Sequence, residues 1–307
     1  MFRLAHLSDP HIGPLPDVGL ADLASKRIIG FVNWKRNRRR THSSAVLAAL
    51  VEDIAASKPD HLAVTGDLVN LGLSGEFALT GGWLAGLGNG ADVTVVPGNH
   101  DAYVHGALDE LVKAWRPYLM GDGNREVAFP FIRKRGRVAF IGVSSAIPTA
   151  PLMATGAVGP DQAAALAAIL DELGRAGFFR VILIHHPPAS PALHWNRRLI
   201  DGGLFREAVR EAGAELILHG HNHVSSVTYI AGRDGPVPVV GAAAASRAPR
   251  PTRPGGSYWL FEIEAEDGSF ACTMIERGVK SGATVVTLAE RRLIGGSTQP
   301  IGTLTQA

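Results

Sequence analysis

Val93-Thr94-Val95-Val96-Pro97-Gly98-Asn99-His100-Asp101 is the stretch on which the reading of this chain turns. Val93 to Val96 has the length and β-branched make-up of a short buried strand, and Pro97 and Gly98 end it. An amide, an imidazole and a carboxylate then follow in direct succession. The same order of strand and donor-bearing loop recurs on both sides. Phe2 to Leu7 leads into Asp9-Pro10-His11, and His61 to Thr65 leads into Gly66-Asp67. Val181 to Ile184 leads into His185-His186-Pro187, and Glu215 to His219 into Gly220-His221-Asn222-His223. Strands of an α/β protein end in loops along a common edge, where ligand sites form. Blocks spread from residue 9 to residue 223 therefore bring oxygen and nitrogen donors to one point.

In this order the blocks resemble those of the calcineurin-like metallophosphoesterases, which run D-x-H, G-D, G-N-H-D/E, a later H, and G-H-x-H. The branch most similar is that of bacterial class III cyclic-nucleotide and glycerophosphodiester phosphodiesterases. The C-terminal part of the chain matches only loosely. The resemblance implies an α/β fold, a four-layer αββα sandwich of two mixed sheets flanked by helices, with a dinuclear metal centre at the strand ends. One metal would take Asp9, His11, Asp67 and His223, and the second Asp67, Asn99, His185 and His221. His185 is preferred to His186 because the family ligand stands two residues before a proline, here Pro187. His100 matches the histidine that protonates the leaving oxygen or steadies the transition state, and Asp101 would orient its ring. Asn70 departs from the pattern, since many relatives carry Asp there, but that position is not a direct ligand.

The chemistry suits these residue types. Two cations about 3.5–4 Å apart can activate a bridging water and clamp the attacking and leaving oxygens of a phosphoester. Asp9 and His11 stand two apart, as do His221 and His223, so in extended backbone each pair points to one side. Asp67 is the natural bridge, with one carboxylate oxygen for each metal. Two divalent ions, two carboxylates and a bridging hydroxide leave one surplus positive charge, enough to attract a monoanionic diester. Mixed oxygen and nitrogen ligands accept Mn, Fe or Zn, divalent or of mixed valence. The expected activity is phosphodiester hydrolysis of a small diester or nucleotide-type substrate. Pyrophosphate hydrolysis of a nucleotide-linked lipid, as in UDP-2,3-diacylglucosamine hydrolases, is the alternative. A non-catalytic binding scaffold on the same fold is a third reading, opposed by the intact ligand set.

The chain has 307 residues, 46% of them hydrophobic, and the metal blocks span too much of it to be divided. One domain is expected over residues 1–290, with an insertion at 14–43 and a flexible tail at 291–307. Helical spacing marks Ser44 to Ser57, Ser74 to Leu87, Val104 to Tyr118, Asp161 to Ala176 and Gly203 to Ala212. Alternating runs at Val224 to Ile230, Val237 to Gly241, Ser257 to Glu264 and Phe270 to Glu276 suggest the second sheet, with a short last strand near Thr284 to Leu288. Residues 246–256, Ser-Arg-Ala-Pro-Arg-Pro-Thr-Arg-Pro-Gly-Gly, must be a loop. The single cysteine, Cys272, cannot form an intramolecular disulfide and suits a reducing compartment. The N-terminus enters a strand at once, and no apolar run approaches the ~20 residues that span a bilayer. These features point to a cytoplasmic enzyme.

Residues 26–40 carry seven basic residues and no acid, against a formal net charge of +2 for the whole chain, so the positive character is local. Ile28, Ile29, Phe31, Val32 and Trp34 interleave the cations. A solvated helix with Trp34 on the core is the plain reading. Contact with an anionic lipid surface, which would make the protein peripheral on the membrane, ranks first among functional ones. A site for the distal part of the substrate ranks second, and nucleic acid last, since no second basic patch or aromatic platform stands out. His6, His61 and His219 read as structural, and His42, His105 and His194 as surface residues, although His194 beside Trp195 could reach a substrate.

Overall fold

The computed structural model describes residues 1–189, 194–266 and 269–295. The chain opens with β1 (Phe2–Leu7) and then a helical insertion. The insertion comprises α1 (Leu20–Leu23), α2 (Arg27–Asn33), a π-helical turn (Trp34–Arg38) and α3 (Arg39–Thr41). Next come α4 (Ser44–Ser57), β2 (His61–Val64), α5 (Ser74–Leu87), β3 (Val93–Val95) and α6 (Ala107–Leu119). The hairpin of β4 (Phe131–Arg135) and β5 (Val138–Gly142) precedes α7 (Pro160–Arg175), β6 (Phe179–Leu183), α8 (Gly202–Ala212) and β7 (Leu216–His219). Five strands complete the fold: β8 (Ser226–Gly232), β9 (Gly235–Gly241), β10 (Ser257–Glu266), β11 (Ser269–Val279) and β12 (Val285–Ile294).

Local signals explain the helices. The Ser43 hydroxyl caps α4 at Val46 N, and Lys58 closes it in a left-handed conformation. Val46, Leu47, Leu50 and Ile54 give α4 its buried face. Pro160 occupies the first turn of α7, where its missing N–H has no helical partner to lose.

Two six-stranded mixed sheets result, in the orders β12-β11-β10-β1-β2-β3 and β4-β5-β6-β7-β9-β8. Strand alternation divides their side chains among three apolar layers. Ala5 and Leu7 of β1 face outward with α4 and α6, while Leu4 faces inward. Ile182 of β6 packs with Leu166 of α7 and Phe205 of α8, while Val181 and Leu183 face the first sheet. The middle layer holds Leu4, Phe140, Val181, Leu218, Trp259, Phe261 and Met274. Helices, sheet, sheet and helices make the expected αββα sandwich.

The C-terminal strands differ from expectation. They do not form one second sheet: β8 and β9 pair beside β7, whereas β10 pairs antiparallel with β1, Leu4 opposite Phe261. Alternation told which face of each strand is buried but carried no information on its neighbour. The last strand also runs to Ile294, past the boundary drawn at residue 290. Residues 296–307, expected to be a flexible tail, lie outside the described residues. No helix among the described residues is long and apolar enough to cross a membrane.

Phe261 is fully buried between the sheets. Phe261→Ala should lower the unfolding free energy by about 3–5 kcal/mol in urea denaturation. A loss below about 1 kcal/mol would contradict this inter-sheet packing.

Candidate metal centre

The five metal blocks end strands of both sheets: β1, β2 and β3 in the first, β6 and β7 in the second. The His185 ring crosses from one sheet to the other, its Nδ1 2.6 Å from Thr65 O. The backbone at the ligands is not extended. Asp9, His11, Asp67, His221 and His223 all have positive φ, between 39° and 70°. Among described residues only Lys58 and Leu152 are other non-glycines in that region. The convergence of Asp9 with His11 therefore comes from left-handed turns rather than strand alternation, which corrects the expectation. Such conformations persist only where the surroundings over-determine them. Two glycines do so by close approach: a Cβ on Gly98 would strike Asp67 Oδ1, and one on Gly220 would strike Ser8 Oγ and Asp9 Oδ2.

Five of the donor side chains, Asp9, His11, Asp67, His185 and His221, have one atom tied and another presented. Asp9 Oδ2 accepts from His221 N at 3.0 Å, and Asp67 Oδ1 from His100 N at 2.7 Å. Asp9 Oδ1 is left buried with no hydrogen bond, 3.2 Å from His223 Nε2. Asp67 Oδ2 is left facing His11 Nε2 at 3.8 Å and His185 Nε2 at 3.4 Å. Oδ2 thus faces histidines of both groups, while Oδ1 accepts from the His100 amide. His11 Nδ1 contacts Val69 O, and His221 Nε2 contacts Arg197 O. A carbonyl accepts only, so in the neutral rings the tied nitrogen carries the proton and the other presents a lone pair.

Acceptors consequently face acceptors in the second group, where Asn99 Oδ1 lies 3.2 Å from His185 Nε2 and 2.9 Å from His221 Nδ1. In the first, the His11 Nε2 lone pair faces His223 Nε2 at 3.2 Å. Asp9, His11, Asp67 and His223 form one group and Asp67, His185 and His221 another, the donor atoms of each within 4.8 Å of one another. Burial opposes charge on His185, but Asp67 and Asp9 outweigh it and hold the imidazole up at about 9. A divalent cation held there would supply that positive charge, with His185 Nε2 free to be a ligand. The donor set therefore fits two cations, with Asp67 common to both groups and Asn99 beside the second.

His186 is not part of this set, for its Nδ1 lies 2.8 Å from Ser145 Oγ and its Nε2 3.2 Å from Ala154 O. His6 and His61 bond Thr65 and Thr94 inside the sandwich, and His219 contacts Gly220 O. His194 and Trp195 are exposed, while nearby Arg197 reaches the site through its carbonyl.

Asp101 does not orient His100. Its carboxylate is buried among backbone amides, Oδ2 accepting from Asp67 and Gly98 and Oδ1 from Leu68 and Val69. Burial and the adjacent Asp67 carboxylate push Asp101 up to about 7. Two N–H donors on each oxygen nevertheless leave no place for a proton, so the geometry favours the ionised form. Asn70 O holds His100 instead, 2.7 Å from Nδ1. His100 Nε2 then accepts from Arg38 Nη2 at 2.6 Å. Burial, then Arg38, push His100 down to about 3, which favours the neutral ring whose Nε2 faces Arg38.

Arg38 is one of two site residues the sequence reading missed. The insertion that carries it lies over the site: Lys26 Nζ donates to Thr149 O at 2.8 Å, Arg27 donates to Leu71 O and Gly72 O, and Gly30 packs on Tyr103. The uniformly solvated helix is therefore wrong for these residues. His42, expected on the surface, is the other. Its ring centroid lies 4.9 Å from that of His11, and its Nδ1 lies 2.6 Å from Ser246 Oγ. A second basic cluster also exists, since Arg247, Arg250 and Arg253 of the proline-rich loop line a cleft with His42 and His223.

Among curated proteins none matches the sequence. Solved structures share the fold at low identity. A dimetal phosphatase from Danio rerio is 13% identical with a TM-score of 0.61, over 94% of this chain and 98% of that one. A purple acid phosphatase from yellow lupin is 12% identical with a TM-score of 0.58, over 99% and 57%. The sulfate thiohydrolase SoxB of Thermus thermophilus is 18% identical with a TM-score of 0.51, over 95% and 56%. The chain thus spans little more than half the length of the latter two. The family model for calcineurin-like phosphoesterases matches residues 2–225, which covers every metal block, and the chain belongs to that family.

Proposed function

We propose that this chain is a metal-dependent phosphodiesterase holding two cations among Asp9, His11, Asp67, Asn99, His185, His221 and His223. The supporting observation is the charge of the donor set. Only two of its seven side chains are carboxylates, and Arg38 adds a half-buried cation with no carboxylate in ion-pair reach among the described residues. The bound cations would supply an activated water and neutralise phosphate oxygens. Mn, Fe or Zn suits these ligands.

Arg38 would then face the phosphate and the departing oxygen, as a guanidinium does where negative charge develops. His100, fixed by Asn70 O, would hold Arg38 in place and accept its hydrogen bond until the substrate anion competes for it. Asp101 would act one step away, by fixing the backbone that presents Asp67. The surplus positive charge draws in a monoanionic diester. The deciding comparison is bis(p-nitrophenyl) phosphate against p-nitrophenyl phosphate, each with added Mn. The diester should have the larger kcat/KM, and a tenfold preference for the monoester would overturn the diesterase reading.

A second substrate reading, a nucleotide-linked lipid cleaved at its pyrophosphate, draws on the outer face of the insertion. Ile28, Ile29 and Val32 are 50%, 41% and 42% exposed, beside the exposed Lys35, Arg36, Arg39 and Arg40. That pattern suits an anionic lipid surface. Each cation near such a surface contributes about 1 kcal/mol, so replacing Arg36, Arg39 and Arg40 with Ser should weaken binding to phosphatidylserine vesicles ~10²-fold, less at high salt. Equal vesicle binding by wild type and variant would remove the lipid from the proposal.

Arg38→Ala should retain its metals by elemental analysis and lose about 10²–10³ in kcat, the scale of one transition-state donor. His100→Ala should fall comparably with its metals in place. Because one holds the other, the double variant should lose much less than the product of the two. Full multiplication of the two losses would show that they act independently.

A further inference from the structure

We propose that the Arg247–Arg253 loop forms a second anion subsite opening on the metal centre, which takes a phosphate group carried by the same substrate molecule. This rests on the phosphoester reading and narrows the substrate to one with a second anionic group.

The cleft has a volume of about 260 Å³ and is lined by Thr41, His42, His223, Arg247, Arg250 and Arg253 among others. Pockets for drug-sized ligands start at about 300 Å³, so this one suits a phosphate and a short linker. His223 belongs to the first metal group, so one wall of the cleft is also a wall of the site. A substrate whose scissile phosphate sits at the metals can therefore extend directly into it.

The charge in the cleft has no carboxylate counter-charge in ion-pair reach among the described residues. None of its three arginines forms an ion pair among the described residues. Arg247 and Arg253 both donate to His223 O, a neutral acceptor. Like charges gathered with no carboxylate within ion-pair distance are unfavourable until an anion joins them, and guanidinium forks match phosphate geometry.

The subsite is also stiff. Pro249, Pro251 and Pro254 alternate with the arginines and fix their own φ. Arg250 and Arg253 exchange backbone hydrogen bonds of 2.9 and 3.1 Å. At the loop base, Gly256 packs so closely on Ala245 O that a Cβ would collide with it. The end of the insertion is stitched to this loop by Ser43 N to Ser246 O at 2.6 Å and Ala248 N to Thr41 O at 2.8 Å. Arg38, His42 and the arginine loop thus form one continuous rim, and little ordering remains to oppose binding.

The test is calorimetric, on the metal-loaded protein. Butyl phosphate is compared with α,ω-alkanediol bisphosphates of two to six carbons, for wild type and for Arg250→Ser/Arg253→Ser. At least one linker length should bind wild type about 10–100-fold more tightly than the monophosphate, as a pair of charge-assisted hydrogen bonds would give. The double variant should lose most of that gain while keeping its metals. The proposal is overturned if no linker length gains, if the gain is the same at every length, or if it persists in the variant. Hydrolysis of bis(p-nitrophenyl) phosphate by the same preparations is read separately. Its failure would strike the diesterase reading and leave the calorimetric result standing.

Discussion

The structure depends on an arrangement shared by five donor side chains at the strand ends: each gives one polar atom to the protein backbone and keeps another free. Asp9 and Asp67 each spend one oxygen on an amide, from His221 and His100. His11, His185 and His221 each turn one nitrogen to a carbonyl. The tied atoms set rotamer and tautomer, so the free atoms converge as lone pairs. Facing lone pairs are repulsive, and the fold tolerates them because the backbone beneath is held independently. Asp101 does much of that holding, binding the Asp67–Val69 turn and Gly98 with four N–H bonds. Removing a buried carboxylate that satisfies four amides would leave all four unpaired, each costing about 1–3 kcal/mol.

Two sheets, rather than one, are needed to assemble this array. A single parallel sheet spaces neighbouring strand ends by about 4.8 Å along a line. Donors arriving from three strands of one sheet and two of another enclose a volume instead. The inter-sheet layer of Phe140, Trp259, Phe261 and Met274 fixes the separation of those two edges. Packing in the sandwich and the geometry of the candidate ligand groups are therefore coupled.

What the sequence disclosed follows from the same division. The ligand blocks were legible because short-range patterns encode them: a strand, a break, and donors at fixed spacing. The bounds of α4 and α5 were read correctly because apolar periodicity and caps are local as well. Arg38 was hidden because a run of cations looks alike whether solvated or buried, and only the turn from α2 through the π-helical segment aims one guanidinium inward. His42 was hidden because its neighbours in space, His11, His223 and Ser246, are remote in sequence. The role of Asp101 was misread because adjacency to His100 suggested contact, while its side chain turns to the opposite loop. The sheet membership of β8 to β12 depends on long-range pairing, which alternation leaves open.

Metal ligands and arginines consequently come from different parts of the architecture. The candidate ligands lie in left-handed turns at strand ends, held by the strands beneath them. Arg38 and the arginine loop lie on connections outside the sheets, which tolerate changes of length and composition without disturbing the core. Yet these connections are not free of each other, since backbone bonds join Ser43 to Ser246 and Thr41 to Ala248. A change in the insertion would therefore be felt in the loop and at His42 between them. The candidate metal ligands thus sit at the strand ends, while the cations around them sit on connections that are hydrogen-bonded to one another.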